Sequence, residues 1–116
     1  VEEIKMALTS TVKAVNLSSF DTAGLTGGYD VINVNGLSHS CFKLRITNAS
    51  NVDVGISYDG IVTSDFMPSD SVLTLDLQNM AGPSGQACVM AKGTKIYVMN
   101  PGPGVGSVYL AGYYQN

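Results

Sequence analysis

The residues of this chain that can do chemistry are few, and their spacing decides what chemistry is open to them. The single histidine, His39, stands in Leu-Ser-His-Ser-Cys, just ahead of Cys41, and the other cysteine is Cys88. Two carboxylates, Asp59 and Asp65, share the segment ISYDGIVTSDFMP with serines, a threonine and large apolar side chains. A Ser-His-Asp set is recognised by a nucleophile on a strained turn with a fixed base beside it. The chain has no GxSxG, and His39 precedes a strand-like run, so it reads as a loop residue. A metal on His39 and Cys41 needs further soft ligands, and Cys88 is the only one left. The two cysteines have neither CxxC nor zinc spacing; a disulfide between them stays open beside the alternative of two buried thiols. A calcium loop from Asp59 needs Asp or Asn at alternate positions and a late Glu. Ile61 and Thr63 stand there instead, and no Glu follows Glu3. The glycines at 27–28 and at 102, 104 and 106 lack the Lys-Ser/Thr or the helix of a phosphate cradle and read as turns. The expectation is no catalytic, cofactor-binding or metal site.

Such a chain must then act through its surfaces, and the elements that build them are legible. At 116 residues it has the size of one domain, able to bury about two-thirds of its unfolded surface. Only 13% of residues are charged, about half the ordinary share. With a net charge of −3, this surface resists association weakly, which fits life in an assembly. The six basic residues form no stripe, so nucleic acid is not an expected partner. VEEIKMALTSTVKAV has no long apolar run, which predicts neither a secretory signal nor a membrane span. A first residue of Val fits removal of an initiator methionine, and synthesis in the cytoplasm is expected.

Alternation is the dominant pattern. In CFKLRIT, residues Phe42, Leu44 and Ile46 point one way and Lys43, Arg45 and Thr47 the other, giving a strand with one wet or partner-facing side. Asn48 to Asn51 reads as a turn, and Val52, Val54, Ile56 and Tyr58 then alternate inward. Asp59-Gly60 predicts a tight hairpin turn into Ile61-Val62, with Pro68 ending the second strand. Leu73, Leu75 and Leu77 share a face of the next strand; Lys92-Gly93 turns into KIYVM, and SVYLAGYY closes the chain. SSFDTAGLTGG reads as a loop before the strand YDVINV. Seven or eight such strands predict an all-β, antiparallel β-sandwich, jelly-roll-like, over residues 11–116, with a small barrel as the other solution. Residues 1–10 read as a short N-terminal arm.

Two surfaces stand out as interfaces. Ile4 and Leu8 share one face of the arm if it is helical, and Ile4, Met6 and Leu8 share one face if it is extended. On the last strand Val108, Leu110, Gly112 and Tyr114 share one side, leaving Tyr109 and Tyr113 on the other as an aromatic strip, unless both faces are buried. That strand is expected to pair with the one carrying Tyr97.

The string VDVGISYDGIVTSDFMPSDSVLTLDL, then AKGTKIYVM and the closing YLAGYYQ, resembles small β-rich virion proteins of tailed bacteriophages over roughly residues 41–115. The resemblance implies a structural role in the virion, most directly a capsid decoration or cement protein. It would bridge subunits of the major capsid protein, as a dimer or trimer at a local symmetry axis. Tail, baseplate and head-fibre components use similar modules, and a glycan-binding tip with stacking tyrosines is the alternative, weakened by the lack of Trp. The resemblance implies no cofactor and no enzymatic activity.

Overall fold

The computed structural model describes residues 12–77, 89–100 and 102–115, and these form two antiparallel sheets with no α-helix among them. The strands are β1 (Val12–Ala14), β2 (Ser18–Asp21), β3 (Asp30–Val31), β4 (Lys43–Ser50) and β5 (Val54–Ser57). There follow β6 (Asp65–Met67), β7 (Ser71–Asp76), β8 (Tyr97–Met99) and β9 (Gly106–Gln115). The first sheet runs β1–β9–β4–β7, with β2 also on β9; the second runs β3–β8–β5–β6. From β2 onward every connection crosses to the other sheet, except the β5–β6 hairpin. That alternation is jelly-roll connectivity, as the strand pattern predicts.

β1 and β2 lie end to end along the same edge of β9. Ala14 pairs with Tyr113 and Ser18 with Leu110, so residues 15–17 face only 111 and 112. The extra residue is a β-bulge, which interrupts the ladder and breaks one long edge strand in two. The start of SSFDTAGLTGG is therefore strand, not loop, followed by a 3₁₀ turn at Thr22–Gly24. YDVINV contributes only Asp30–Val31 to a sheet.

The core lies between the sheets, as alternation requires. Leu44 and Ile46 of β4 and Val108 and Leu110 of β9 face Val54 and Ile56 of β5, Met67 of β6 and Val98 of β8. Register puts like with like: Ile46 stands between Leu73 and Leu110 across its two ladders, and Leu44 faces Leu75. Inward positions of β4 continue through Asn48 and Ser50, so the strand extends past the turn expected at Asn48. The buried Asn48 amide is satisfied there: its Nδ2 donates to the carbonyls of Val52 (2.9 Å), Met67 (3.4 Å) and Pro68 (3.1 Å). Its Oδ1 accepts from Ser50 Oγ at 2.5 Å. One side chain thus ties β4 to the end of β6. Among the described residues no buried side-chain polar atom lacks a partner.

Two further expectations fail. β8 and β9 do not pair; they belong to opposite sheets, because β9 has both edges occupied by β4 and by β1 with β2. Phe42 does not join Leu44 and Ile46 in the core, since β4 begins at Lys43 and a bend at Phe42 breaks the alternation. No helix of the described residues is long and apolar enough to cross a membrane.

Candidate functional site

The segment that raised the question of chemistry is the β5–β6 hairpin, built more widely than a two-residue turn. Ile56 pairs with Asp65, the connection between the strands is 58–64, and the return strand starts at Asp65, not at Ile61. Both carboxylates are used in holding it. Asp59 Oδ1 accepts from the backbone N–H groups of Ile61 (2.8 Å) and Val62 (3.2 Å) and from Ser57 Oγ (3.0 Å). These bonds favour the charged form, and hold the Asp59 carboxyl below its ordinary value. Gly60, at φ 75°, lies on the ring of Tyr97, where a Cβ would come within 3.1 Å of the ring. Asp65 accepts from the Tyr58 hydroxyl. One oxygen of each carboxylate thus braces the hairpin.

His39 is held by its neighbours: its Nδ1 lies 3.2 Å from the hydroxyl of the adjacent Ser38. Its ring stacks on Tyr114 with centroids 3.8 Å apart and planes 3° from parallel. The Cys41 thiol is buried and directed at the His39 carbonyl oxygen (3.4 Å), not at the ring. Burial pushes that thiol above its ordinary pKa, the reverse of what a thiolate nucleophile or ligand requires. Cys88 lies outside the described residues. Among the described residues no three of His, Cys, Asp and Glu gather where a metal ion would be held.

What the fold does present is two outward sheet faces. On the first sheet, three rows cross the strands. Thr47 stands between Val72 and Tyr109, Arg45 between Thr74 and Ala111, and Lys43 between Asp76 and Tyr113. Tyr109 and Tyr113 are on this outer face, as alternation predicts. Tyr109 is exposed and Tyr113 half-buried, because a groove of about 320 Å³ runs beside Tyr113. Val12, Phe42, Lys43, Arg45, Thr74 and Tyr113 line it. The sequence placed Lys43 and Arg45 on a partner-facing side without linking them to the tyrosines; the β4–β9 register makes that link. Ile4, Met6 and Leu8, the other expected contact residues, lie outside the described residues.

On the second sheet, the outer face carries Phe66, Gly55 and Met99 in one row and Ser57, Tyr97 and Val31 in the next. The hairpin loop curls over this face, with Thr63 covering Gly55 and its hydroxyl bonded to Tyr29 at 2.9 Å. It leaves Ile61 and Val62, which the sequence reading placed at the start of the return strand, in solvent, together with Phe66 of β6. A second cavity, about 310 Å³, opens beside the β-bulge and is lined by Asn16, Ser18, Ser19, Asn33, Asn35 and Ser38 among others. Its Asn33 is structural: Nδ2 donates to the Thr94 carbonyl (3.0 Å) and Oδ1 accepts from the Ile96 N–H (2.8 Å).

The architecture defines the class: an all-β, two-sheet jelly roll. In fold the chain is similar to a solved chain from Bacillus endospore appendages, described as a family of disulfide-linked pili. The TM-score is 0.52 at 8% identity, covering 92% of this chain and 90% of that one. The crystal structure of PirA superposes with a TM-score of 0.34 at 15% identity over 92% of this chain and 84% of that one, too distant to bear on the fold. No protein-family model and no curated protein matches the sequence.

Proposed function

We propose that this chain is a non-enzymatic assembly subunit, a rigid sandwich that stabilises a larger particle by adding buried area between neighbours. The observation that carries the reading is the exposure of large apolar side chains on both outer faces. Val72 (59%) and Tyr109 (36%) are exposed on one side, Ile61 (75%) and Phe66 (67%) on the other. A chain with only 13% charged residues has little to mask such side chains, and contact with a neighbour would bury them. Specific contacts bury about 1,000–2,000 Å² in total, and repetition over symmetric copies turns modest contacts into strong attachment.

The particle is a phage virion, and the chain a capsid decoration protein lying across seams of the major capsid protein. The sequence resemblance over residues 41–115 supports this assignment. Electron microscopy of the particle tests it, together with copy number. Density at shell symmetry axes, in copies comparable to the shell protein, supports decoration; a few copies at one vertex or in the tail would reject it. Deleting residues 1–8 should leave a folded domain that no longer binds its shell.

A second reading is favoured by the fold similarity to the endospore-appendage protein: the chain is the repeating unit of a filament. It predicts that the purified chain polymerises without any shell protein, which negative-stain microscopy decides.

A further inference from the structure

The groove on the outer face of the first sheet has a composition unlike the rest of this acidic chain. Two cations, Lys43 and Arg45, stand at alternate positions of β4, beside the rings of Phe42 and Tyr113 and the side chain of Val12. Arg45 is exposed, and its cross-strand neighbours are Thr74 and Ala111, neither of them acidic. Lys43 stands opposite Asp76 on one side and Tyr113 on the other. A ligand for this surface needs an anionic group followed closely by apolar side chains.

The chain itself carries that pattern at its start, ahead of the first described strand. Its only two glutamates, Glu2 and Glu3, precede Ile4, Met6 and Leu8. In an extended segment Glu2 shares a side with all three. Two residues of extended chain advance about 7 Å, between one and two strand spacings of about 4.8 Å. A carboxylate over β4 therefore brings the next apolar residue over Tyr113 and Val12. The segment reaches Val12 at the groove's own border without Gly, Pro, Asn or Asp.

We propose that this groove receives residues 1–8 of a second copy of the chain, Glu2 meeting Arg45 and Lys43 and Ile4 and Met6 covering Tyr113, Phe42 and Val12. The inference rests on the assembly reading and names one of its contacts. Sedimentation velocity of the full chain over a range of concentrations tests it. The wild type should associate reversibly, and more weakly as salt rises. Reversing the groove (Lys43→Glu with Arg45→Glu) or the arm (Glu2→Lys with Glu3→Lys) should weaken association by about tenfold or more. Combining the two reversals should restore it. The milder Arg45→Gln should give a smaller loss, with circular dichroism unchanged. A synthetic peptide of residues 1–8 should compete with association.

Association that ignores both reversals would overturn the groove assignment and leave the assembly reading intact. A wild type that stays monomeric overturns the pairing of copies, while attachment to a shell is decided separately by microscopy. A monomer whose residues 1–8 become protease-sensitive on reversal at 43 and 45 places the chain's own arm in the groove, which also overturns the proposal.

Discussion

Tyr58 and Asp65 close the β5–β6 hairpin from its two sides: the Tyr58 hydroxyl donates to Asp65 Oδ2 across 2.5 Å. Burial pushes the Tyr58 hydroxyl above the ordinary tyrosine value, and the adjacent carboxylate adds to the shift by accepting its proton and repelling its anion. The folded state thus holds the tyrosine proton more tightly than the unfolded chain does. Its stabilisation is complete below the ordinary value near 10 and is lost as pH rises from there through the folded value. Stability measured by urea unfolding should fall above about pH 10, and Tyr58→Phe should flatten that fall. At neutral pH the same substitution should cost about 1 kcal/mol, since the group is only half-buried.

The Asn48 amide is a fixed point of the core. Asn48→Leu fits the inward pattern of β4 but strips the Val52, Met67 and Pro68 carbonyls of their shared donor. The expected loss is about 2–4 kcal/mol in denaturant unfolding. Asn48→Asp should be worse at neutral pH than at pH 3, because a carboxylate there faces carbonyl oxygens.

Gly106 begins β9 at φ 117°, and a Cβ on it would lie 2.2 Å from the Ala49 carbonyl oxygen. The same residue accepts from the buried Thr22 hydroxyl at 3.0 Å. Gly106→Ala should shift the thermal midpoint down strongly or prevent folding. Thr22→Val, which removes the bond and keeps the shape, should cost about 1 kcal/mol.

Cys41 should resist modification in the folded protein. With its thiol buried and its pKa raised, iodoacetamide at pH 8 should leave Cys41 unlabelled until denaturant is added, read by peptide mass spectrometry. Labelling at the rate of a free thiol in native buffer would contradict the burial.

What the sequence determined by itself was local. Side chains alternating along 43–47, 71–77 and 107–114 marked which residues point inward, because a strand's period of two is a covalent property of extended backbone. The same pattern put Tyr109 and Tyr113 outside. It stumbled where a neighbour overrides the pattern. Asn48 looked like a turn residue because its partners, the carbonyls of Met67 and Pro68, lie far along the chain. Asp59-Gly60 looked like a complete hairpin turn, since nothing in the sequence shows Tyr97 under Gly60 or Tyr58 bonded to Asp65. Only the tertiary structure decided which strands meet. Ladder hydrogen bonds are identical for any two strands, so the assignment of β8 and β9 to different sheets depends on which packing closes the core. That choice also set Lys43 beside Tyr113 and Arg45 beside Ala111, and so created a groove that no run of neighbouring residues spells out.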